Sequence, residues 1–385
     1  MIGSIRLLLS PSLVHLHVWL DDGDHSSVLG LLECYHTLCP NLKSLRFGHL
    51  CHFPHVTAAI SRAISCSTNL ETLTCDSISE AALLHIAESR CLRKLTANLL
   101  KCQPEILRRL AGYGTPDHPP FENLCVLRLC VEDLSSFIPC LRAHHQPFEE
   151  VFLEFHVTPT AEILHDFLTA LSSASRRASL RRITLRSTRQ RRLISSRPID
   201  FWVLSPLMTF SLQSFEAELC DWVSLGDDEL ARLVQGWPQL ETFCFNQLSG
   251  WEYLPSTKIP TLKGLLLLLA WCPKLSELGT CVDARNIPSL TEDESSIRNT
   301  AITTLCFANS LIQEPVARVV QFLLGHFPSL VTLQVLFNEH APQDCGNLWR
   351  KVSVQISEIN GPDWLSEDSS GSESEMSWGP SVGTT

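Results

Sequence analysis

A single-domain α/β solenoid, with a curved parallel β-sheet on the concave face and helices on the convex face, is the architecture this 385-residue sequence predicts. Three observations lead there. A short apolar phrase, Leu42-x-x-Leu45-x-Phe47, returns as Leu240-x-x-Phe243-x-Phe245 and as Leu330-x-x-Leu333-x-Val335. Its last part alternates, as a strand with one buried face does. Between the phrases, apolar residues follow the helical period, and Pro repeatedly stands just before the next phrase.

Taken in order, the phrases begin at Leu13, Leu42, Leu70, Leu92, Leu124, Phe148, Leu180, Leu212, Leu240, Leu275, Ile302 and Leu330, about 22 to 35 residues apart. Such spacings centre near the long end of a repeat class of roughly 20–29 residues. The copies at Phe148, Leu180 and Leu275 are the most degenerate. Val352-x-Val354-x-Ile356 reads as one further strand.

The connecting segments read as helices. Glu80 to Glu88 follows Ser77 and Ser79, either of which could cap it. Glu162 to Leu171 places Ile163, Leu164, Phe167, Leu168 and Leu171 on one face. Asp227 to Val234 opens with acids, which the helix dipole favours in a first turn. Val316 to Leu324 behaves alike. Pro40, Pro238, Pro273 and Pro328 cannot continue a helix and return the chain to the sheet. Each unit is then strand, turn, helix, turn, and a right-handed crossover sets the next strand parallel to the last.

Three stretches exceed the unit and read as surface loops: Gly112 to Pro120, Ser187 to Pro198 and Ser249 to Pro260. The solenoid is expected over residues 1–360, followed by a disordered acidic, Ser-rich tail over 361–385. Within that tail, Ser372 and Ser374 lie among acids, as a casein-kinase-type enzyme requires, or serve simply in a solubilising segment.

Composition narrows the function. Apolar residues make up 44% of the chain, enough for an extended core. The net charge of −11 argues against nucleic acid as main partner. The 16 Cys include no C-x-x-C pair, and many sit inside strand-like or helix-like phrases, so they read as reduced, small buried hydrophobes in a cytoplasmic or nuclear protein. Ile2 to Val18 is broken by Arg6 and Pro11 and has no small-residue cleavage site, so no leader is expected. Leu265 to Trp271 is too short to span a bilayer. No membrane association is expected, and a monomer is.

The phrases resemble leucine-rich repeats of the long, helix-bearing kind. More narrowly, Leu7 to Val18, Cys39 to Phe47 and Phe327 to Val335 resemble the repeat region of fungal F-box proteins, especially those of basidiomycetes. The resemblance covers roughly residues 1–360. It implies a protein-binding scaffold whose partner is a substrate for ubiquitination. Such proteins carry an F-box that binds the Skp1 adaptor of a cullin ubiquitin ligase. Here the first phrase starts at Leu13, which leaves no room for one, so Skp1 and cullin are not expected partners. Many leucine-rich repeats also place Asn three residues after the last strand apolar. Here that place holds Leu50, Ile78, Leu100 and Leu248, with Asn only at Asn338, so the turns must satisfy their backbone otherwise.

No phosphate-binding, nucleophile-elbow or zinc-protease motif occurs, and no catalytic, cofactor-binding or metal residue is assigned. Gly112 and Gly114 read as loop glycines. His49, Cys51, His52 and His55 have zinc-ligand chemistry but match no closed-site spacing; they underlie the alternative of a metal-dependent enzyme. His15 and His17 share a strand face and could pair two imidazoles, or simply face solvent. The Arg-rich run over Arg176, Arg177, Arg181, Arg182, Arg186, Arg189, Arg191 and Arg192 is open to four readings: an import signal, an acidic partner, phosphorylation at Ser179, or a solvated face.

Strand parity supplies the candidate site. Residues two, four and six places after the first apolar of a phrase point out of the concave face. The partner-binding candidates so defined are His15, His17, Trp19, Ser44, Arg46, Arg128, Glu150, Phe152, Glu154, Arg182, Arg186, Glu216 and Glu218. If neighbouring phrases are neighbouring strands, acid lies beside base beside acid. That arrangement is a self-paired ladder or a charged recognition stripe, and charge reversal of Arg182 with Glu216 would separate the two. The function predicted is a non-catalytic protein–protein interaction scaffold, with an adaptor or inhibitor that wraps a regulatory protein as the alternative outside ubiquitin chemistry.

Overall fold

Every one of the twelve phrases carries a strand, and the strands lie side by side in chain order. The computed structural model describes residues 9–19, 26–48, 54–100, 104–112, 120–143, 148–174, 179–188, 197–219, 223–248, 257–337 and 343–361. The strands are β1 (His15–Trp19), β2 (Ser44–Gly48), β3 (Thr72–Cys75), β4 (Lys94–Asn98), β5 (Val126–Val131), β6 (Glu150–Phe155), β7 (Arg182–Ser187), β8 (Ser214–Glu218), β9 (Thr242–Phe245), β10 (Glu277–Thr280), β11 (Thr304–Ala308) and β12 (Thr332–Leu336). All pairings between them are parallel. Two of the degenerate copies make strands as long as any other: β6 and β7 have six residues each, as many as β5, while the third, β10, has four. A strand flanked on both sides by parallel partners is held by their ladders even where its own phrase is weak.

Helices fill the return paths. The Glu80–Ala87 helix is capped by Ser79, whose Oγ accepts the Ala82 N–H at 3.3 Å, which decides between the two candidate caps. The sequence-predicted helices appear as Ala161–Ala174, Asp227–Val234 and Val316–His326. Asp227 does more than favour the dipole: its carboxylate accepts both the Thr261 N–H and hydroxyl at 2.7 Å, tying one helix to the cap of the next, Leu262–Trp271. Among the described residues no helix is long and apolar enough to cross a membrane.

The core is one seam between sheet and helices. Leu45, Leu73, Leu95, Leu127, Val151 and Ile183 succeed one another along it, each at most 2% exposed. Eight of the thirteen described cysteines, all free, are buried, as their apolar settings require. Burial pushes the Cys140 and Cys272 thiols up to about 12, so they stay protonated and unreactive.

Asn residues stitch the repeats together, at places the sequence reading did not single out. Asn41, Asn69 and Asn123 each stand one residue before the first apolar of a phrase. Their side-chain amides donate to the carbonyls of Pro11, Pro40 and Arg90 one repeat earlier, at 2.9, 3.2 and 2.8 Å. At the other end of the strands, Asn98 and Asn246 stand one residue after the last strand apolar, not three. Asn98 Oδ1 accepts from Leu100 N at 3.0 Å and Asn246 Oδ1 from Leu219 N at 2.8 Å. These two turns are therefore Asn-satisfied from a shifted position, whereas the same place in the phrases of β2 and β3 holds Gly48 and Asp76.

Val352, Val354 and Ile356 do not form a strand. They lie in the final helix, Gln343–Asn360. A three-residue alternation is too short to distinguish the periods. The longer series Cys345, Trp349, Val352, Ile356, spaced by four, three and four, is helical, and all four are buried while Val354 is 51% exposed. This helix packs on β12, the last strand of the sheet among the described residues. The loop centres, residues 113–119, 189–196 and 249–256, and the tail from 362 lie outside the described residues, as do His49, Cys51, His52, Arg176, Arg177, Arg189, Arg191, Arg192, Asn338, Ser372 and Ser374.

Candidate functional site

Parity and register together determine the concave face. Along β6 the burial alternates, with Glu150, Phe152 and Glu154 half-exposed and Val151, Leu153 and Phe155 buried. Register sets Glu150 beside Arg182 and Arg182 beside Ser214; Arg128 beside Phe152, Thr184 and Glu216; and Cys130 beside Glu154, Arg186 and Glu218.

The candidates fall into two groups. His15, His17, Trp19, Ser44 and Arg46 lie on β1 and β2. There His15, His17, Trp19 and Arg46 are exposed. The rings of His17 and Trp19 meet edge to face at 5.9 Å, and a Cβ on Gly48 would lie 2.5 Å from the Trp19 ring, so only glycine lets that ring lie over β2. Ser44 is a correction: it is 8% exposed, because its short side chain sits between the neighbouring strand residues His15 and Thr72. The second group, on β5 to β8, begins three strands away, roughly 14 Å.

Arg128, Glu150, Phe152, Arg182, Arg186 and Glu216 line a shared depression of about 390 Å³. The charges in it pair. Arg128 reaches one oxygen of Glu150 at 2.6 Å, and Arg182 lies 3.9 Å from the other. Arg186 meets Glu216 at 3.2 Å and also lies over the Phe152 ring, 5.5 Å from its centroid. Glu218 accepts the Leu248 N–H at 3.1 Å, so it holds a turn. The expected pairing of Arg182 with Glu216 does not occur. Register places Arg182 opposite Ser214, and Glu216 lies one pleat along, within diagonal reach of Arg186.

A charge swap measures the ladder. Arg186→Glu and Glu216→Arg are each expected to cost about 0.2–1 kcal/mol in urea unfolding, and the double variant to recover most of that loss. The exposure of both side chains, 53% and 33%, keeps the effect small and salt-sensitive.

One cluster on this face was missed. Cys130, Glu154 and His156 offer a sulfur, an oxygen and a nitrogen all within 4.8 Å of one another. The Cys130 thiol donates to Glu154 Oε1 at 3.8 Å; burial and then the adjacent carboxylate push it up to about 12. Cys130 stands six places after Leu124 and so met the parity rule, but its neighbours become visible only through cross-strand register. His156 follows β6, with its backbone N–H on the Val131 and Glu132 carbonyls at 3.3 and 3.2 Å. It continues the parity of Glu154.

The twelve parallel strands, with helices on the opposite side, make this chain a leucine-rich-repeat solenoid of the α/β class. No protein-family model and no curated protein matches it. Among solved structures, the yeast Rad7 and Elc1 complex is similar at a TM-score of 0.41 and 13% identity, over 78% of this chain and 78% of that one. A likeness at that level says nothing of what this chain binds.

Proposed function

We propose that the chain is a non-catalytic scaffold whose concave sheet binds a protein partner. The observation that carries this is the vertical order of charge in the depression. The side chains of Arg128, Arg182 and Arg186 are 52%, 62% and 53% exposed, while Glu150, the counter-ion of the first two, is 17% exposed and Glu216, the counter-ion of Arg186, is 33% exposed. The carboxylates preorganise the guanidinium groups from beneath and leave outward N–H donors free for a partner's carboxylates or carbonyls. Phe152 adds an apolar surface among them. Arg and aromatic side chains of this kind supply most of the binding energy at protein interfaces.

Affinity capture from cell extract, with mass spectrometry, tests the proposal. A stoichiometric partner held by the unaltered protein is expected to be lost at least about tenfold by the triple variant Arg128→Ala, Arg182→Ala, Arg186→Ala. The triple variant should unfold within about 1–2 kcal/mol of the parent, since exposed pairs contribute little. A partner retained equally would move the binding surface elsewhere, with His15, His17, Trp19 and Arg46 the next group to test.

Substrate recognition for a ubiquitin ligase is the finer reading. It is supported by the resemblance of the phrases to fungal F-box repeats. Skp1 and cullin among the captured proteins would uphold it, whereas one stable partner without them would favour an adaptor or inhibitor that wraps a regulatory protein. We also propose a cytoplasmic or nuclear location, supported by cysteines that form no C-x-x-C pair and sit in apolar phrases, and a monomeric state.

A further inference from the structure

We infer that Cys130, Glu154 and His156 form a three-ligand zinc site on the rim of the concave face. The placement follows from the fold. Cys130 and Glu154 are directly opposed in the β5–β6 register, and His156 lies two residues beyond Glu154 on the same side. Their ligand atoms already lie within 4.8 Å of one another, and among the described residues they are the only such group. The Cys130 Sγ to Glu154 Oε1 separation is 3.8 Å. A tetrahedral zinc with bonds of about 2.3 Å to sulfur and 2.1 Å to oxygen sets these two atoms about 3.6 Å apart, so little adjustment is needed.

The donor set selects the metal. Calcium and magnesium take oxygen ligands, whereas thiolate with imidazole suits zinc. Charge balance agrees: a thiolate, a carboxylate and a neutral imidazole neutralise a dication in a half-buried place. Glu154 is also available. Its neighbour in register, Arg186, turns instead to Glu216 and Phe152. Among the described residues no cationic side chain takes its place. Binding breaks the Cys130 S–H bond, forms a sulfur–zinc bond and releases one proton to solvent. Three protein ligands leave a fourth position for water. The site goes beyond partner binding and stands whether or not the charged depression holds a protein.

The test uses the full chain, stripped with chelator and titrated with zinc, and separately with cobalt as a spectroscopic substitute. One equivalent is expected to bind, with a thiolate-to-cobalt charge-transfer band in the near ultraviolet. Cys130→Ser should abolish the band. His156→Gln should keep it while weakening affinity by about tenfold or more. Metal-free variants with unchanged circular dichroism show that folding is intact. If the unaltered protein shows no saturable binding and no such band, the proposal is overturned. Binding that survives Cys130→Ser unchanged overturns it equally, since the metal would then lie at other residues. Absence of the band from the unaltered chain overturns the proposal even if a variant fails to fold, and Glu154→Gln, with weakened affinity expected, tests the location should Cys130→Ser not fold.

Discussion

Replacing Trp349 with Ala is expected to destabilise the protein by about 3–5 kcal/mol and to release the end of the solenoid first. Trp349 is fully buried. Its ring meets Phe307 at 5.3 Å, and its Nε1–H donates to the Ser310 carbonyl at 2.9 Å. The substitution removes a large packed volume and leaves a buried carbonyl without that donor. The second effect alone costs about 1–3 kcal/mol. The helix that carries Trp349 also carries Cys345, Val352 and Ile356 on the same buried face, so a loss there is felt along its length. Repeat arrays depend on such terminal caps, because a repeat contacts only its neighbours. Hydrogen exchange should therefore show residues 343–360 and β12 losing protection before β5 to β8. Trp349→Phe separates packing from hydrogen bonding and should cost markedly less than Ala. Equal costs for the two variants would assign the whole effect to the Ser310 contact.

The architecture was legible because its signal is repeated. A phrase such as that at Leu180 is weak alone, yet it recurs in register with eleven others and its strand is compelled by both neighbours. Parity then gave the concave face without further information, and twelve of the thirteen candidate residues lie there with accessible surface. What escaped depends on relations between repeats. Ser44 is buried by the strands on either side of it, not by anything in its own phrase. Arg186 finds Glu216 along a diagonal that one strand's spacing cannot reveal. Cys130 and His156 are 26 residues apart in sequence, and only the β5–β6 register brings them together. Val352 and Ile356 were misread for a different reason: three alternating residues fit a strand and a helix face equally well, and Trp349 and Cys345 were needed to decide.

Asn246 is expected to be the most sensitive polar residue of the turns. Its backbone adopts φ 48°, in the left-handed region, and the residue is fully buried. Its Oδ1 accepts the N–H of Leu219, which is itself fully buried, and its own N–H donates to Ala217 O at 2.7 Å. Asn246→Ala keeps a Cβ in that conformation but removes the short polar side chain that makes it tolerable, at up to about 1–2 kcal/mol. It also strands the Leu219 N–H, at about 1–3 kcal/mol. Together these give a loss of roughly 2–5 kcal/mol in urea unfolding. Asn246→Gly relieves the backbone but restores no acceptor, so its cost should fall between zero and that of Ala. If Ala and Gly cost the same, the left-handed backbone carries none of the penalty and the Leu219 contact carries all of it. The turn bears on the concave face as well. Two residues later, Leu248 donates its N–H to Glu218, so a turn that unravels lets go of a carboxylate at the edge of the charged block. Asn246→Ala should then weaken partner capture through Glu218 and its neighbours, although Asn246 itself is too deeply buried to touch a partner.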